Sequence, residues 1–402
     1  MNDALRPSTL SDLCDMVAAA AAGGTSLEII GRGSKRALGR PVQAARVLEL
    51  SALAGVRSYE PAELVLTAAA STPLAEIEAL LAAQNQILAF EPPHWDALLD
   101  APHAGSLGGA IACNLAGPRR IKSGAARDHF LGVVAVSGRG ETFKAGGKVV
   151  KNVTGYDLCK LLAGSFGTLA VMEEVTVKVM PAPAKTRTVL LFGLDTAAAV
   201  KALADALNSP YEVSGAAYLP PPVAARSRVD HVRRTGSSVT AIRVEGTPVS
   251  VEVRCQSLRR QFAAGGAVEE LHTANSARLW LEIRDVASLL PDRHAAIWRA
   301  SVPPTGGPGV AALARGEYVL DWGGGLVWMA MDAAGDGGAA AVRAAVRAAG
   351  GHALLVRAAL SLRAAVPVFE PQAPSVAALA GRVKEGFDPA RILNPGRMYA
   401  DI

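Results

Sequence analysis

Two glycine-rich stretches are the parts of this sequence best suited to binding chemistry. The first, GRGSK at residues 31–35, directly follows a short apolar segment, and the second, SLGGA at residues 106–110, opens a helix of small residues. A glycine-rich turn after a strand aims backbone N–H groups at a phosphate, and nearby hydroxyls and cations add to the attraction. The first stretch is therefore a candidate pyrophosphate site, although a Gly-x-Gly pattern after a strand is more often a plain turn.

The second stretch has two interpretations that its residues alone do not separate. A helix that begins with Gly and Ala lets free N–H groups and the positive end of the helix dipole approach an anion or a flat ring closely. The same glycines would equally let a helix pack tightly against a sheet. Neither stretch matches the G-x-x-x-x-G-K-[ST] loop or the full G-x-G-x-x-G fingerprint of other nucleotide-binding folds.

Composition limits the classes of protein to which the chain can belong. Its 402 residues are 50% hydrophobic, which predicts two or three folded domains and little disorder. The net charge is only +5, from 41 basic and 36 acidic side chains, and aromatic residues make up 5%. This pattern does not favour nucleic-acid binding, whereas a mild basic excess suits an anionic cofactor, an acidic partner or the inner membrane surface.

The residue types that bind metals are scattered along the chain. The four cysteines, Cys14, Cys113, Cys159 and Cys255, form no C-x-x-C pair, so we expect free thiols and neither an iron–sulfur cluster nor a zinc site. The seven histidines show no H-x-H or H-x(3)-H spacing. We therefore predict no metal site and assign no catalytic residue.

Periodicity and turn signals predict an α+β chain that divides near Pro181 and Pro183. Expected elements include helices at residues 8–22, 73–83 and 196–207, a hairpin of LGVVAVSG and ETFKAG, and a strand at residues 279–283. The N-terminus has no basic segment followed by an apolar one, and no apolar run reaches the roughly 18–20 residues of a membrane span. We expect a cytoplasmic chain, with peripheral attachment to the inner membrane face left open.

Several motifs together resemble one known family. They are the two glycine-rich stretches, the run D-L-x(5)-G-x-x-G-x-L-x-V from Asp157 to Val171, and the terminal FDPARILNPGRM. These look like the FAD-binding domain of the vanillyl-alcohol-oxidase (PCMH) type. The longer segments GKVVKNVTGYDLCKLLAGSFGTL and NLAGPRR are similar to the FAD-binding subunits of glycolate oxidase (glycolate dehydrogenase) complexes.

The resemblance implies a fold and a cofactor. It implies a two-lobed FAD-binding domain at residues 1–182 (lobes about 1–93 and 94–182), an α+β cap at 183–368, and a segment at 369–402 that returns to the flavin site. FAD would be bound noncovalently, because no histidine occupies the first phosphate loop. The implied FAD-binding residues are Gly31, Arg32, Gly33, Ser34, Lys35, Ser106, Gly108, Gly109, Asn114, Gly167, Thr168, Val171, Asn394 and Arg397.

The resemblance also implies an activity and partners. Glycolate would lose a hydride to the flavin and become glyoxylate, and electrons would leave through an iron–sulfur subunit, in a complex that also contains a catalytic flavoprotein subunit. One departure is that relatives acting on 2-hydroxy acids carry an H-G-D-G-N-x-H motif, whereas the closest stretch here, AGDGG at 334–338, has no histidine. Two alternatives therefore stay open, a self-sufficient dehydrogenase of 2-hydroxy acids or alcohols, and a non-catalytic assembly subunit.

Overall fold

The computed structural model describes residues 4–147 and 155–402. These residues form two compact units. The first unit comprises the described residues of 1–116, 124–182 and 371–402, and the second comprises residues 117–123 and 183–370. The chain therefore leaves the first unit twice and returns to it twice.

The structure contains sixteen α-helices among the described residues. In chain order they are α1 (Leu10–Ala22), α2 (Leu74–Ala82), α3 (Asp96–Leu99), α4 (Leu107–Ala112), α5 (Arg120–Ser123), α6 (Ala126–His129), α7 (Leu158–Leu162), α8 (Thr196–Leu207), α9 (Pro221–Ala224), α10 (Asp230–Arg233), α11 (Pro248–Phe262), α12 (Thr273–Arg284), α13 (Gly307–Ala311), α14 (Ala339–Ala348), α15 (Leu360–Ala365) and α16 (Pro374–Phe387). No helix in these described ranges is long and apolar enough to cross a membrane.

Seventeen strands lie within the same described residues. They are β1 (Leu27–Ile30), β2 (Arg46–Glu49), β3 (Val56–Glu60), β4 (Val65–Ala69), β5 (Gln86–Ile87), β6 (Phe130–Ser137), β7 (Thr142–Gly146), β8 (Ala170–Lys178), β9 (Met180–Pro181), β10 (Lys185–Phe192), β11 (Val213–Leu219), β12 (Val239–Gly246), β13 (Val268–Leu271), β14 (Ala296–Ser301), β15 (Tyr318–Asp321), β16 (Leu326–Met331) and β17 (His352–Arg357).

A five-stranded antiparallel sheet, ordered β3-β4-β8-β6-β7, forms the centre of the first unit. It joins two strands from before residue 93 to three from after it. Apolar residues of β4, β6 and β8 pack with α2 and α4 into one core. The predicted hairpin is present as β6 and β7, paired from Gly132–Gly146 to Val136–Thr142. This core fixes the start of α4, where the second glycine-rich stretch lies.

A second, smaller core of this unit is formed by elements that are distant in sequence. Thr9 caps α1 in a reciprocal capping box with Asp12, and Leu13 and Val17 of that helix are fully buried. They pack with the parallel pair β1 and β2 and with Ile392 and Leu393 from the end of the chain. Leu27 N–H donates to the Ile392 carbonyl at 2.7 Å. The terminal segment is therefore part of the first unit's core.

The second unit is built on an eight-stranded antiparallel sheet, ordered β13-β10-β12-β11-β15-β16-β14-β17. One face of the sheet packs against α8, α11, α13 and α14 around a core that includes Trp298. The predicted strand at 279–283 is wrong, because these residues belong to α12. Leu279, Trp280 and Ile283 are buried at helical spacing, and a short apolar run does not distinguish a strand from a buried helix.

Candidate functional site

A cavity in the first unit brings most of the predicted binding residues together. It contains about 740 Å³ of empty space, which includes space open to solvent. Eleven of the fourteen predicted residues line it: Gly31, Arg32, Gly33, Ser34, Lys35, Ser106, Gly108, Gly109, Gly167, Asn394 and Arg397. Four separate parts of the sequence, residues 31–35, 106–109, 167 and 394–397, thus converge on one cavity.

The cavity is strongly cationic. Its lining residues include Arg32, Lys35, Arg36 and Arg397 but no aspartate or glutamate. Among the described residues, Arg36 is the one of these four that pairs with a carboxylate, through two hydrogen bonds to Glu28 at 2.9 and 2.5 Å. Lys35 is 8% exposed, and its ammonium donates to two neutral oxygens, Ser34 Oγ and the Ala104 carbonyl, both at 3.3 Å. Burial lowers the pKa of Lys35, so an anion bound beside it would relieve part of that cost.

Two buried polar atoms at the cavity have no hydrogen-bond partner among the described residues. They are Ser71 Oγ, in a residue 1% exposed, and Arg397 Nε, in a residue 6% exposed. The other end of Arg397 is fixed, because Nη2 donates to the Lys35 carbonyl at 2.5 Å. Buried polar groups are rarely left unpaired. Both atoms therefore fit a site whose hydrogen bonds are completed by a bound molecule.

Glycine is required at several points of the cavity wall. A Cβ on Gly108 would lie 2.6 Å from the Ala70 Cβ, and the Gly108 N–H donates to the Ala70 carbonyl at 2.7 Å. Gly167 has a φ of +70°, and a Cβ there would lie 2.8 Å from Asn394 Nδ2. Gly108 thus allows α4 to pack closely against the end of β4, and it also lines the cavity. The two interpretations of the second glycine-rich stretch are compatible.

Asn394 joins the terminal segment to both sides of the cavity. Its Nδ2 donates to the Phe166 carbonyl at 2.8 Å, and its Oδ1 accepts from the Ile29 N–H at 2.7 Å. The side chain is 3% exposed. Because its amide binds a loop carbonyl and a strand N–H at the same time, Asn394 holds these two segments of the cavity wall together and also lines the cavity.

Three predicted residues do not line the cavity. Asn114 accepts a hydrogen bond from the Arg127 N–H, Thr168 donates its hydroxyl to the Ser165 carbonyl, and the Val171 side chain is fully buried in the core beside α1. Their predicted contacts with a cofactor remain predictions. Residues 148–154 of the GKVVKNVTGYDL motif lie outside the described residues.

The structure adds residues to the cavity that sequence patterns did not indicate. Ser71 and Cys113 contribute polar atoms, while Phe166 and Met172 add apolar surface beside Ile29. Burial raises the pKa of the Cys113 thiol, although the positive charges of Lys35 and Arg397 oppose this. Ser71 and Cys113 belong to none of the quoted motifs, and Phe166 stands at an unspecified position of one, so only the three-dimensional neighbours identify these residues. Because its lining combines cations with apolar side chains, the cavity can hold a large molecule that has both an anionic and an apolar part.

The AGDGG stretch has a local structural role in the second unit. Asp336 accepts hydrogen bonds from the N–H groups of Gly338 at 3.0 Å and Ala340 at 2.8 Å, at the start of α14. Across residues 4–147 and 155–402, no group of three or more His, Cys, Asp or Glu side chains is arranged to hold a metal ion.

Comparisons with known proteins agree with this geometry. The model of an FAD-binding domain family matches residues 4–146. Glycolate oxidase subunit GlcE of Escherichia coli (strain K12) is 32% identical over 378 residues, which cover 94% of each chain. Glycolate oxidase subunit GlcD of Bacillus subtilis (strain 168) is 38% identical over 100 residues, 25% of this chain and 21% of that protein.

Solved structures share the fold at low sequence identity. A substrate-bound p-cresol methylhydroxylase superposes with a TM-score of 0.74 over 99% of this chain and 88% of that chain, at 13% identity. The 4-ethylphenol oxidase of Gulosibacter chungangensis gives a TM-score of 0.72 at 15% identity, over 98% of this chain and 88% of that chain. These likenesses confirm the predicted α+β fold of the PCMH type.

The fold, the cavity and the family match define an FAD-dependent oxidoreductase, and FAD is its cofactor. Within that class, the chain belongs to the family of glycolate oxidase subunit GlcE. The family resemblance predicted from the sequence is thereby confirmed. Lys35, Arg397 and Ser71 suit the diphosphate and polar edges of FAD, and the apolar lining residues suit its ring system.

Proposed function

We propose that this chain is the FAD-binding subunit of a glycolate oxidase (dehydrogenase) complex that oxidises glycolate to glyoxylate. The observation that carries the proposal is the match to GlcE along 94% of both chains, which includes the second unit as well as the FAD-binding region. The cationic cavity supports it, because 11 residues predicted from the family lie together there.

The chain's own residues would bind and orient the cofactor. Bound FAD supplies the hydride acceptor for oxidation of a 2-hydroxy acid. Lys35 and Arg397 would neutralise the diphosphate, and Asn394 would keep the loop at Phe166 against β1. We propose noncovalent binding, because the lining residues include no histidine and the lining cysteine, Cys113, has a raised pKa.

A separate iron–sulfur subunit would take the electrons onward. The four cysteines of this chain are far apart in sequence and all are free thiols in the structure. One-electron carriers of the iron–sulfur type need closely placed thiolate ligands. A further flavoprotein subunit like GlcD would complete the complex, and its similarity to this chain over 100 residues is consistent with two related subunits.

An absorption spectrum of the purified chain under anaerobic conditions tests the proposal. Before glycolate is added, we expect the spectrum of a bound flavin. When the chain is denatured and removed by filtration, we expect free FAD in the filtrate. Bleaching by glycolate in the isolated chain would assign the oxidation to this subunit. Bleaching that requires a GlcD-type partner would place the oxidation on that partner.

Two other results would favour the alternatives. A self-sufficient dehydrogenase would turn over glycolate, or another 2-hydroxy acid, with an artificial electron acceptor and no partner. A chain that purifies colourless and takes up no FAD on titration would be an assembly subunit and would overturn the proposal.

A further inference from the structure

Two arginines of the second unit meet at one tryptophan. The guanidinium carbon of Arg120 lies 4.3 Å from the centroid of the Trp322 ring, and that of Arg299 lies 5.0 Å from it. Arg299 is also 5.9 Å from the ring of Trp328, its cross-strand partner between β14 and β16. Its chain neighbour Trp298 is fully buried in the core on one face of the sheet. Since strand side chains alternate, Arg299 stands on the opposite face.

The segment that carries Arg120 is held firmly in place. The indole N–H of Trp322 donates to the Gly117 carbonyl at 3.1 Å. The preceding residue, Arg119, makes two hydrogen bonds to Glu245 at 2.8 and 2.5 Å. These contacts fix the backbone on both sides of Pro118, so the position of Arg120 beside Trp322 does not depend on a loose loop.

Unlike their neighbours, these two arginines form no ion pair within the part of the chain that the structure describes. Glu245 compensates both Arg119 and Arg243, which it approaches at 2.5 and 3.7 Å. Arg120 and Arg299 have no side-chain hydrogen bond and no ion pair with any residue in the described part of the chain. A guanidinium carries five N–H donors in a fixed plane, and cation–π contacts leave these donors free.

The electrostatics at this point of the sheet favour a monovalent anion. Burial, followed by the nearby charge of Arg120, lowers the pKa of Arg299 to about 10, so the group remains charged at neutral pH. Among the described residues that shift this pKa, Asp321 opposes the effect, and its carboxylate accepts the backbone N–H of Trp322 at 2.7 Å. These three groups together carry a net charge of +1.

We propose that Arg120 and Arg299 bind the carboxylate of a small monocarboxylic acid beside Trp322. Arginine presents paired donors that match a carboxylate, and Trp322, which is 6% exposed, holds both guanidinium groups by ring contacts. Arg299 is part-buried and Arg120 is exposed, so the pair is accessible to solvent through Arg120. That the acid is a 2-hydroxy acid rests on the proposed function, whereas carboxylate binding does not.

An acid that cannot be oxidised separates binding from chemistry. The compound 2-hydroxy-2-methylpropanoate has no hydrogen on its carbinol carbon, and its two methyl groups give one NMR signal. We expect saturation transfer from the FAD-loaded chain to this signal, with a dissociation constant that rises at least tenfold in Arg299→Gln and in Arg120→Gln. Arg260→Gln, which removes an exposed arginine of α11, is the matched control and should leave the constant unchanged.

Three results would overturn the inference. The first is the absence of saturation transfer in the unaltered chain. The second is a dissociation constant that is the same in Arg299→Gln, Arg120→Gln and Arg260→Gln. The third is displacement of the acid by ethylene glycol as effectively as by glycolate. Because Arg120 is exposed, Arg120→Gln tests the site even where Arg299→Gln fails to fold. If the acid binds as expected while glycolate never reduces the flavin, the inference stands and the proposed function fails.

Discussion

The ammonium nitrogen of Lys384 lies 2.7 Å from Asp388 Oδ2, and both side chains are fully buried. The same nitrogen donates to the carbonyls of Thr168 at 2.6 Å and Leu393 at 3.0 Å. Asp388 in turn accepts from the N–H groups of Ile392 at 3.1 Å and Leu393 at 2.8 Å. This ion pair therefore joins the end of α16 to the terminal segment and to the loop before β8.

Replacing one member of this pair leaves a buried charge without its partner. We expect Lys384→Met to lower the free energy of unfolding by about 3–5 kcal/mol, measured by urea denaturation. The exposed ion pair of Lys201 and Asp205 has the same i,i+4 spacing. Lys201→Met breaks this pair and is expected to lower the free energy of unfolding by about 0.3–0.5 kcal/mol. Equal losses in the two variants would contradict the role given to Lys384.

Lys35 is expected to contribute to FAD affinity through its charge. Lys35→Met removes a buried cation that forms no ion pair with any described residue. Hydrogen bonds to charged groups contribute about 1.5–3 kcal/mol, so the FAD affinity should fall about tenfold or more. Fluorescence titration of the apoprotein with FAD measures this. Lys144→Met, an exposed change on β7, is the control. Unchanged affinity in Lys35→Met would place the diphosphate elsewhere.

Gly167 is expected to tolerate no side chain. Gly167→Ala combines a left-handed backbone cost of about 1–2 kcal/mol with a contact 2.8 Å from Asn394 Nδ2. Gly24→Ala has a similar φ of +61° but open space around the new Cβ, so it reports the backbone cost alone. We expect Gly167→Ala to lower both the melting temperature and the FAD content further than Gly24→Ala. Identical behaviour would show that the Asn394 contact is unimportant.

The buried carboxylate of Glu245 is expected to make the protein less stable in acid. Burial raises its pKa, but the charge of Arg243 and the hydrogen bond and charge of Arg119 outweigh this and lower the pKa from 4.5 to about 2. Its contribution, about 3 kcal/mol at 1.36 kcal/mol per pKa unit, is complete above pH 4.5 and is lost as the pH falls toward 2.

The test of this response is urea denaturation between pH 7 and pH 3. Glu245→Gln is expected to be less stable at neutral pH and to show a shallower decline below pH 4.5. Glu252→Gln, on the exposed face of α11, should follow the unaltered protein. If Glu245→Gln declined as steeply as the unaltered protein, other carboxylates would carry the acid sensitivity.

Sequence patterns predicted elements well where local signals were strong. Helix α8 was predicted at residues 196–207 and is observed at Thr196–Leu207, because Asp195 caps it and apolar residues recur at helical spacing. Strand β14 was missed. Its sequence AIWRAS places Arg299 beside the buried Trp298, and only the sheet's two different faces explain that combination.

The strength of the local sequence pattern also determined which site residues could be predicted. Gly31 and Lys35 lie in a glycine-rich turn with a recognisable pattern, and Arg397 lies in a distinctive terminal motif. The sequence motif selected Val171, yet the neighbouring Ala170 and Met172 line the cavity, since adjacent strand residues face opposite sides. Ser71 belongs to no motif, and its role depends on three-dimensional neighbours alone.

The return of residues 371–402 to the first unit has a consequence for biosynthesis. Synthesis of the 188 residues from 183 to 370 takes roughly 10–40 s at 5–20 residues per second, and Asn394 and Arg397 emerge only after that interval. At the end of this interval the second unit has all its residues, whereas the cofactor pocket still lacks Asn394 and Arg397. FAD would therefore find a complete pocket only after residues 394–397 have been synthesised, and a chain that terminates before them would lack the stabilisation that the bound cofactor gives.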